Sequence, residues 1–230
     1  IKMAISYEAL LPEILPMVAG CPDTLIERNI RSAVIEFCEK TGIYQVELDP
    51  ITTVGNIYEY DLEPPAGTSV HKIMSAVFNG KDLEPISSGL IEQRKPKWRE
   101  QSNAGTPEYY IKQGKSLVWL VPVPSSTEVS STAIRAQLKP TTTSTACDSE
   151  IMEEYRDTII NGTLFRLLRT PGQAWTDITG AQIYGSLFSE GVNSAERKAR
   201  HADEGVVRRV IYGGLGSGRN SRRKRYGSGG

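Results

Sequence analysis

The spacing of apolar positions along the chain changes twice, and these changes divide it into predicted parts. In residues 1–42 and 148–212 apolar side chains recur at helical spacing. In residues 43–147 they alternate, and β-branched and aromatic residues are frequent, which predicts strands. Residues 213–230 show neither period and are rich in Gly and Ser. The pattern predicts an α+β protein: a helical bundle with an inserted antiparallel β-domain and an extended C-terminal arm.

The first helical part contains one long amphipathic helix. Thr24 and Glu27 have the spacing of a capping box at its start, and Gly42 supplies a C-terminal stop. Ahead of this helix, Pro12 and Pro16 divide a stretch of helical composition into short turns. The two prolines also suggest that the N-terminal segment is a contact arm.

The β-domain is predicted to contain about five or six strands separated by turn formers. The strand-like runs are YQVELD, IYEYDLE, VHKIMSAVFN, PEYYIKQ, SLVWLVPVP and VSSTAIRAQLKP. Between the third and fourth runs, residues 89–94 predict a short helix. Pro96 and the polar run that follows Trp98 predict an exposed loop after this helix.

The second helical part predicts a long hairpin of two helices. Asp148 or Ser149 can cap the first, which runs to the TPG turn at residues 170–172. The second follows from about Thr179. The amphipathic helix of the first part needs a partner for its apolar face, and the hairpin is the simplest partner. Residues 206–212 could add a final short strand.

Composition places the chain among soluble globular proteins, since 39% of its 230 residues are hydrophobic and 23% are charged. Its apolar runs are too short for a membrane span or a signal peptide, so we expect a protein that is not secreted. Cys21, Cys38 and Cys147 are widely spaced and the chain has two histidines, which fits neither a disulfide framework nor a zinc site. Cys38 falls on the apolar face of the first long helix and is expected to be buried, in a reducing compartment.

The chain carries only near misses to enzyme signatures. Residues 114–116, GKS, match the end of a P-loop, but Tyr109 replaces its first glycine and the flanking runs are strand-like, so we predict a hairpin turn. His71 lies at a predicted strand start and His201 in the charged end of the last helix, and both have ordinary structural interpretations. We therefore predict no enzyme, no cofactor and no metal site.

Charge is distributed unevenly between the body and the arm. The chain has 27 basic and 27 acidic residues, and no acidic residue lies beyond residue 205. Seven basic residues do, namely Arg208, Arg209, Arg219, Arg222, Arg223, Lys224 and Arg225. Residues 1–205 therefore hold 20 basic and 27 acidic residues, a formal charge of −7. The neutrality of the whole chain is an average over two oppositely charged parts.

Three interpretations of the arm stay open at this point. It can be a disordered tail, a basic localisation signal, or an arm held by another chain with Tyr212 and Tyr226 as aromatic anchors. Its run of basic residues at 222–225 would attract phosphate without reading sequence. A second basic segment could meet phosphate or an acidic neighbouring subunit, and its residues are Arg94, Lys95, Lys97, Trp98 and Arg99.

The C-terminal hairpin resembles that of a known protein family. Residues 154–199 combine a YRDTII start, small residues before LFRLL, a PG turn followed by tryptophan, an aromatic-rich second helix and an AERKA finish. This pattern is similar to the helical hairpin of head-to-tail adaptor (connector) proteins of short-tailed bacteriophages. Residues 47–87 are similar to their β-domain, so the resemblance covers most of the chain. The large β-insertion distinguishes the chain from the wholly helical adaptors of long-tailed phages.

The resemblance implies a structural virion protein. Such adaptors form a ring, commonly a dodecamer, that joins the portal protein to a tail or nozzle protein and continues the DNA channel, through which DNA passes without specific recognition. The arm is then expected to reach the portal through Tyr212, Arg219, Arg222, Arg223, Lys224, Arg225 and Tyr226. The β-domain is expected to face the tail, with Arg94, Lys95, Lys97, Trp98 and Arg99 as a subunit or tail contact. We expect assembly in the host cytoplasm and a final position at the head–tail junction.

Two other functions stay open beside the adaptor. A non-specific DNA-binding protein would use the arm and residues 93–99 as a phosphate clamp, with steep salt dependence. A virion hydrolase would need an acidic residue with a perturbed pKa in a cleft, and the sequence identifies none.

Overall fold

The structure, a computed structural model, describes residues 4–204, with side chains as far as residue 200. The helices are α1 (Leu11–Ile14), α2 (Asp23–Thr41), α3 (Ser88–Arg94), α4 (Ser149–Glu154), α5 (Arg156–Leu168) and α6 (Ile178–Glu204). The strands are β1 (Ala4–Ser6), β2 (Gln45–Glu47), β3 (Ile51–Thr53), β4 (Glu59–Asp61), β5 (Thr68–Phe78), β6 (Lys81–Asp82), β7 (Glu84–Pro85), β8 (Tyr109–Gln113), β9 (Leu117–Val121), β10 (Glu128–Pro140) and β11 (Ala146–Asp148). The predicted mixed α+β class is confirmed.

The first long helix begins earlier than its predicted capping box. α2 follows Pro22, and no side chain caps its first turn, so the predicted box formed by Thr24 and Glu27 is wrong. Pro22 is extended and has a fixed φ, and the helix starts directly after it. The predicted stop is confirmed, because Gly42 adopts a left-handed φ of 65° and its N–H donates to the Cys38 carbonyl.

The N-terminal segment is part of the core. Short 3₁₀ helices at Tyr7–Leu10 and Leu15–Met17 flank α1, and Pro12 and Pro16 lie near the starts of these short elements, as predicted. The inward side chains of the segment are buried, namely Tyr7, Leu10, Ile14 and Val18. β1 also pairs antiparallel with β11. The expectation that this segment is a contact arm is therefore wrong.

Two sheets contain the strands β2 to β10. The first has the order β2-β10-β5-β6, with β3 also paired to β10, and all of its pairs are antiparallel. The second has the order β4-β9-β8-β7, in which β7 and β8 are parallel. The six predicted strands are present as β2, β4, β5, β8, β9 and β10. The pattern misses β3, β6 and β7 because runs of two or three residues are too short to show a period.

The segment that matches the end of a P-loop is a hairpin turn, as predicted. β8 and β9 pair antiparallel, with Gln113 opposite Leu117 next to the turn. Gly114 lies in the turn with a φ of 56°. A left-handed φ of this kind favours glycine, so the residue is explained by the turn.

The helix predicted to run from residue 148 to the TPG turn is divided in two. Asp148 caps α4, as predicted, by accepting a hydrogen bond from the Glu150 N–H at 2.9 Å. At Tyr155 the backbone leaves the helical region, with φ −112° and ψ 23°, and α5 begins at the next residue. The Tyr155 ring packs on Phe37 of α2, with 4.9 Å between ring centroids. The prediction of a single helix is therefore wrong. The sequence does not show the break, because an interruption of one residue hardly changes the apolar period.

α5 and α6 are antiparallel and lie close together because glycines face aromatic rings. Phe188 of α6 covers Gly162 of α5, and Phe165 of α5 covers Gly185 of α6. A Cβ atom on Gly162 would lie 2.7 Å from the Phe188 ring, and one on Gly185 would lie 2.9 Å from the Phe165 ring. Neither position has room for a side chain. We call these contacts the Gly–Phe pairs.

The buried core extends through the helices and into the β-domain. One large cluster joins residues of α2, α5 and α6 to residues of β5 and β10, and it includes Cys38, which is fully buried as predicted. A smaller cluster lies beneath α3 and consists of Ile91, Trp98, Ile111, Val121 and Val123. α2 packs on both α5 and α6. The division into a helical domain and an inserted β-domain stays a prediction.

Two predicted elements lie outside the described residues: the strand at 206–212 and the arm at 213–230. Within residues 4–204, none of the helices combines the length and the apolar character that a membrane crossing requires.

Candidate interaction surfaces

The contact residues predicted on the arm lie outside the part of the chain that the structure describes. They are Tyr212, Arg219, Arg222, Arg223, Lys224, Arg225 and Tyr226. The side chain of His201 lies outside it as well. Their roles stay predictions, and the surfaces that follow belong to the body.

The basic segment after α3, residues 94–99, is built around a buried tryptophan. Ser87 caps α3 by accepting a hydrogen bond from the Leu90 N–H at 3.3 Å. The chain then turns at Lys97, which has a left-handed φ of 66°. Trp98 follows this turn, and its side chain is 1% exposed. The prediction of Trp98 as an exposed contact residue is therefore wrong, because its ring belongs to the smaller core cluster.

The surroundings of Trp98 explain why a polar, non-periodic segment is ordered. Tyr58 and Trp119 pack on the ring at centroid distances of 5.3 and 6.1 Å. The indole N–H donates to Glu92 Oε1 of α3 at 3.2 Å. The Arg99 guanidinium lies 4.4 Å from the ring centroid. One large side chain thus supplies the burial that several periodic apolar residues would otherwise supply.

Three of the four cations in the 94–99 segment have carboxylate partners. The pairs, with their N–O distances, are Lys95–Glu108 (2.7 Å), Lys97–Glu100 (3.4 Å) and Arg99–Glu92 (2.5 Å). Arg94 is exposed and forms no ion pair with any of the described residues. Exposed pairs of this kind are weak and can exchange partners. The use of Arg94, Lys95, Lys97 and Arg99 as a subunit or tail contact stays a prediction.

A broad groove of about 1170 Å³ runs between α2 and α6. Phe165 and Phe188 form part of its lining, and Glu36 lies on its α2 side. Glu36 binds both Lys40, at 2.5 Å, and Arg166. Partial burial opposes the ionisation of Glu36, but the hydrogen bonds and charges of Lys40 and Arg166 lower its pKa. The groove is therefore lined by aromatic rings and, on its α2 side, by the carboxylate of Glu36, which already has two cationic partners.

α6 also exposes apolar side chains that the sequence analysis missed. Ile183 is 58% exposed and Leu187 is 43% exposed, and the two lie one helical turn apart. The buried side of the helix carries Ala181 and Phe188. Ile183 is apolar and stands outside the stripe that predicts burial, so the sequence carried a signal for it. Leu187 was predicted beside Phe188 on the buried face, and its exposure corrects that prediction. Exposed neighbouring apolar residues of this kind are suited to an interface.

The described residues offer little to a chemical reaction. No group of three His, Cys, Asp or Glu side chains within residues 4–204 is arranged to hold a metal ion. His71 lies on β5, and partial burial lowers its pKa, with the nearby charge of Glu39 opposing this effect. This environment agrees with its ordinary structural interpretation. The absence of enzymatic activity stays a prediction.

One comparison with known proteins gives a match over most of the chain. The family model described as SU10 adaptor protein matches residues 7–210. No curated protein matches the chain. The matched range runs from the first 3₁₀ helix through α6 and contains every element given above except β1.

Proposed function

The chain belongs to the SU10 adaptor protein family, and from this membership we propose that it forms a closed dodecameric ring between the portal and the tail of a short-tailed phage. The family identifies it as a bacteriophage head-to-tail adaptor, a structural component of the virion that contacts portal and tail components. The single observation that carries the proposal is the match over residues 7–210. The protein assembles in the host cytoplasm and ends at the head–tail junction.

The body supplies two surfaces that suit a closed ring, in which each subunit uses a different face for each neighbour. One is the groove between α2 and α6, lined on α6 by residues such as Ser189. The other is the exposed pair Ile183 and Leu187. At about 100° of rotation per residue, Ser189 lies about 120° or more around α6 from Ile183 and Leu187, whereas Glu190 at the edge of the groove borders Ile183. We assign one neighbour to each surface.

The charge of the body supports passage of DNA without specific recognition. Residues 1–205 carry a formal charge of −7, and a ring of such bodies repels a polyanion. The cations of the 94–99 segment reduce this repulsion only slightly, because three of the four have carboxylate partners. The channel then conducts DNA without strong phosphate contacts, and the role needs neither a cofactor nor a catalytic residue.

The arm is the proposed attachment to the portal. Arg219, Arg222, Arg223, Lys224 and Arg225 can pair with acidic surfaces, and Tyr212 and Tyr226 can serve as anchors near its ends. The Gly and Ser residues between them allow an irregular path. Repetition around a ring adds avidity. The β-domain then faces the tail or nozzle protein, with Arg94, Lys95, Lys97 and Arg99 on its surface and Trp98 excluded from the contact.

The test compares the full chain with a chain that ends at Gly213, each mixed with purified portal protein and measured by mass photometry. We expect the full chain to form a stoichiometric ring on the portal and the shortened chain to lose this attachment. Arg94→Ala is the matched control, because it removes an exposed arginine of the body and leaves the arm intact.

The competing function has a distinct outcome. If neither chain joins the portal while the full chain binds duplex DNA with steep salt dependence, the adaptor proposal fails. The arm is then a phosphate clamp.

A further inference from the structure

A concentration of arginines lies at the end of the helical hairpin where α5 ends. A groove of about 430 Å³ between the first half of α2 and the last turn of α5 is lined by Arg28, Arg166 and Arg169. The rest of its lining is Leu25, Asn29, Ser32, Thr170 and Pro171. No carboxylate of the described residues lines it, although the body as a whole is acidic. We call it the arginine groove.

The three arginines are not equivalent. Arg28 and Arg169 are exposed, and neither has an ion pair within residues 4–204. Arg169 lies 4.7 Å from the centroid of the Phe165 ring, which restrains its guanidinium. Arg166 pairs with Glu36 and its side chain is only 14% exposed. The groove therefore has two unpaired guanidiniums at its surface and one recessed guanidinium.

The electrostatics of the arginine groove favour a bound anion. Burial lowers the pKa of Arg166, the charge of Glu36 opposes this effect, and the charge of Arg169 adds to it. Glu36 already compensates the charge of Arg166, so the uncompensated charges are those of Arg28 and Arg169, and like charges that share a groove are unfavourable until an opposite charge enters. Asn29, Ser32 and Thr170 line the same groove and can donate further hydrogen bonds.

We propose that the arginine groove binds an acidic segment of a partner protein, with an Asp or Glu carboxylate inserted between the guanidiniums. Arginine binds carboxylates through two parallel hydrogen bonds, and its planar group suits a narrow groove. Because Arg166 is recessed, only a side chain that enters the groove can reach it, whereas the backbone of a DNA duplex meets the rim. Leu25 and Pro171 give the groove apolar walls that fit the carbon atoms of a peptide. The proposal does not depend on the ring or on the portal arm.

The test uses the arginine Nε–Hε NMR signals of the full chain, labelled with ¹⁵N and titrated with a hexaglutamate peptide. Single Arg→Lys variants assign the signals of Arg28, Arg166 and Arg169. The basic arm also attracts this peptide, so a signal that belongs to the groove is needed, and the recessed Arg166 provides it. We expect a saturable shift of the Arg166 signal that weakens as NaCl is added.

The variants separate the groove from the arm. In Arg28→Ala/Arg169→Ala the apparent Kd read from Arg166 should rise roughly tenfold or more, because two charge-assisted hydrogen-bonding groups are lost. Arg94→Ala, the matched exposed arginine, should leave it unchanged. Both substituted residues are exposed, so thermal unfolding should show an unaltered Tm. If the double variant does not fold, the single variants Arg28→Gln and Arg169→Gln take its place.

Two outcomes overturn the proposal. One is an Arg166 signal that does not respond to the peptide. The other is an Arg166 signal that moves with duplex DNA or inorganic phosphate and not with the peptide, which would make the groove a phosphate site. Portal binding in the preceding section is measured separately, so either proposal can fail alone.

Discussion

The helical hairpin and the 94–99 segment both depend on aromatic rings, but they depend on them in opposite ways. In the hairpin, the Phe188 ring occupies the space that a side chain at Gly162 would need. In the segment, the Trp98 ring fills a space that its polar neighbours leave open. Added volume therefore damages the first region, and removed volume damages the second. A count of buried apolar residues would not distinguish them.

Removal of Trp98 should have the largest effect on stability. Trp98→Ala deletes a buried ring and leaves a cavity, so we expect the free energy of unfolding to fall by about 3–5 kcal/mol. Trp98→Phe is the matched control, because it keeps most of the aromatic volume and loses the hydrogen bond to Glu92; its loss should be clearly smaller. Urea denaturation of the full chain measures both. A loss below about 1 kcal/mol for Trp98→Ala would contradict the assigned role.

An added methyl group at Gly162 should have the next largest effect. Gly162→Ala places a Cβ atom 2.7 Å from the Phe188 ring, so we expect a loss of about 1–3 kcal/mol in the free energy of unfolding. The helix propensity of alanine offsets part of it, by about 1 kcal/mol. Gly89→Ala in α3 is the control, since no atom lies within 4 Å of its added Cβ, and it should be neutral or slightly stabilising. Equal stability of the two variants in urea would mean that the hairpin is not closely packed.

The ion pair beside the first Gly–Phe pair should have the smallest effect. Arg166 lies over the Phe188 ring and binds Glu36, so Glu36→Gln tests whether charge supports the close approach of the helices. Because the Glu36 side chain is about one-third exposed and solvent screens its charge, we expect a loss of less than about 1 kcal/mol at pH 7.

The stability that the Glu36–Arg166 ion pair contributes depends on pH, and its direction follows from the lowered pKa of Glu36. The carboxylate stabilises the folded state above its unfolded pKa of about 4.3, and this contribution is lost as the pH falls through the lower folded pKa. The difference between the wild type and Glu36→Gln should therefore shrink below about pH 4. Urea titrations at several pH values check this, and a difference that grows on acidification would show that the pair does not stabilise the fold.

Local signals in the sequence were sufficient for the elements that have local causes. Gly42 ends α2, Gly114 forms the β8–β9 turn and Asp148 caps α4, as their residue types predict. The break at Tyr155 and the parallel pairing of β7 with β8 were missed, because their causes are contacts between distant parts of the chain. Such contacts leave no period in the sequence.

The candidate sites also differ in how much of each the local sequence reveals. The cations of the 94–99 segment stand out as a basic run, yet the run does not reveal that Trp98 turns inward or that Glu92 lies beside Arg99. The sequence does not reveal the arginine groove, since Arg28 and Arg169 are far apart in the chain and come together only when α2 packs on α5. A site assembled from separate helices leaves no linear motif in the sequence.

The direction of α6 has a mechanical consequence. Its first turn adjoins the end of α5, and its last described turns share a groove with Lys72 and Gln137 of the first sheet. A pull on the chain that follows α6, directed along the helix axis, loads the antiparallel contact with α5 in shear. Under shear the contacts at Gly162, Gly185 and Gly191 resist together, whereas under peeling they would give way one after another. The hairpin is therefore arranged to carry tension along its length, which suits a head-to-tail adaptor.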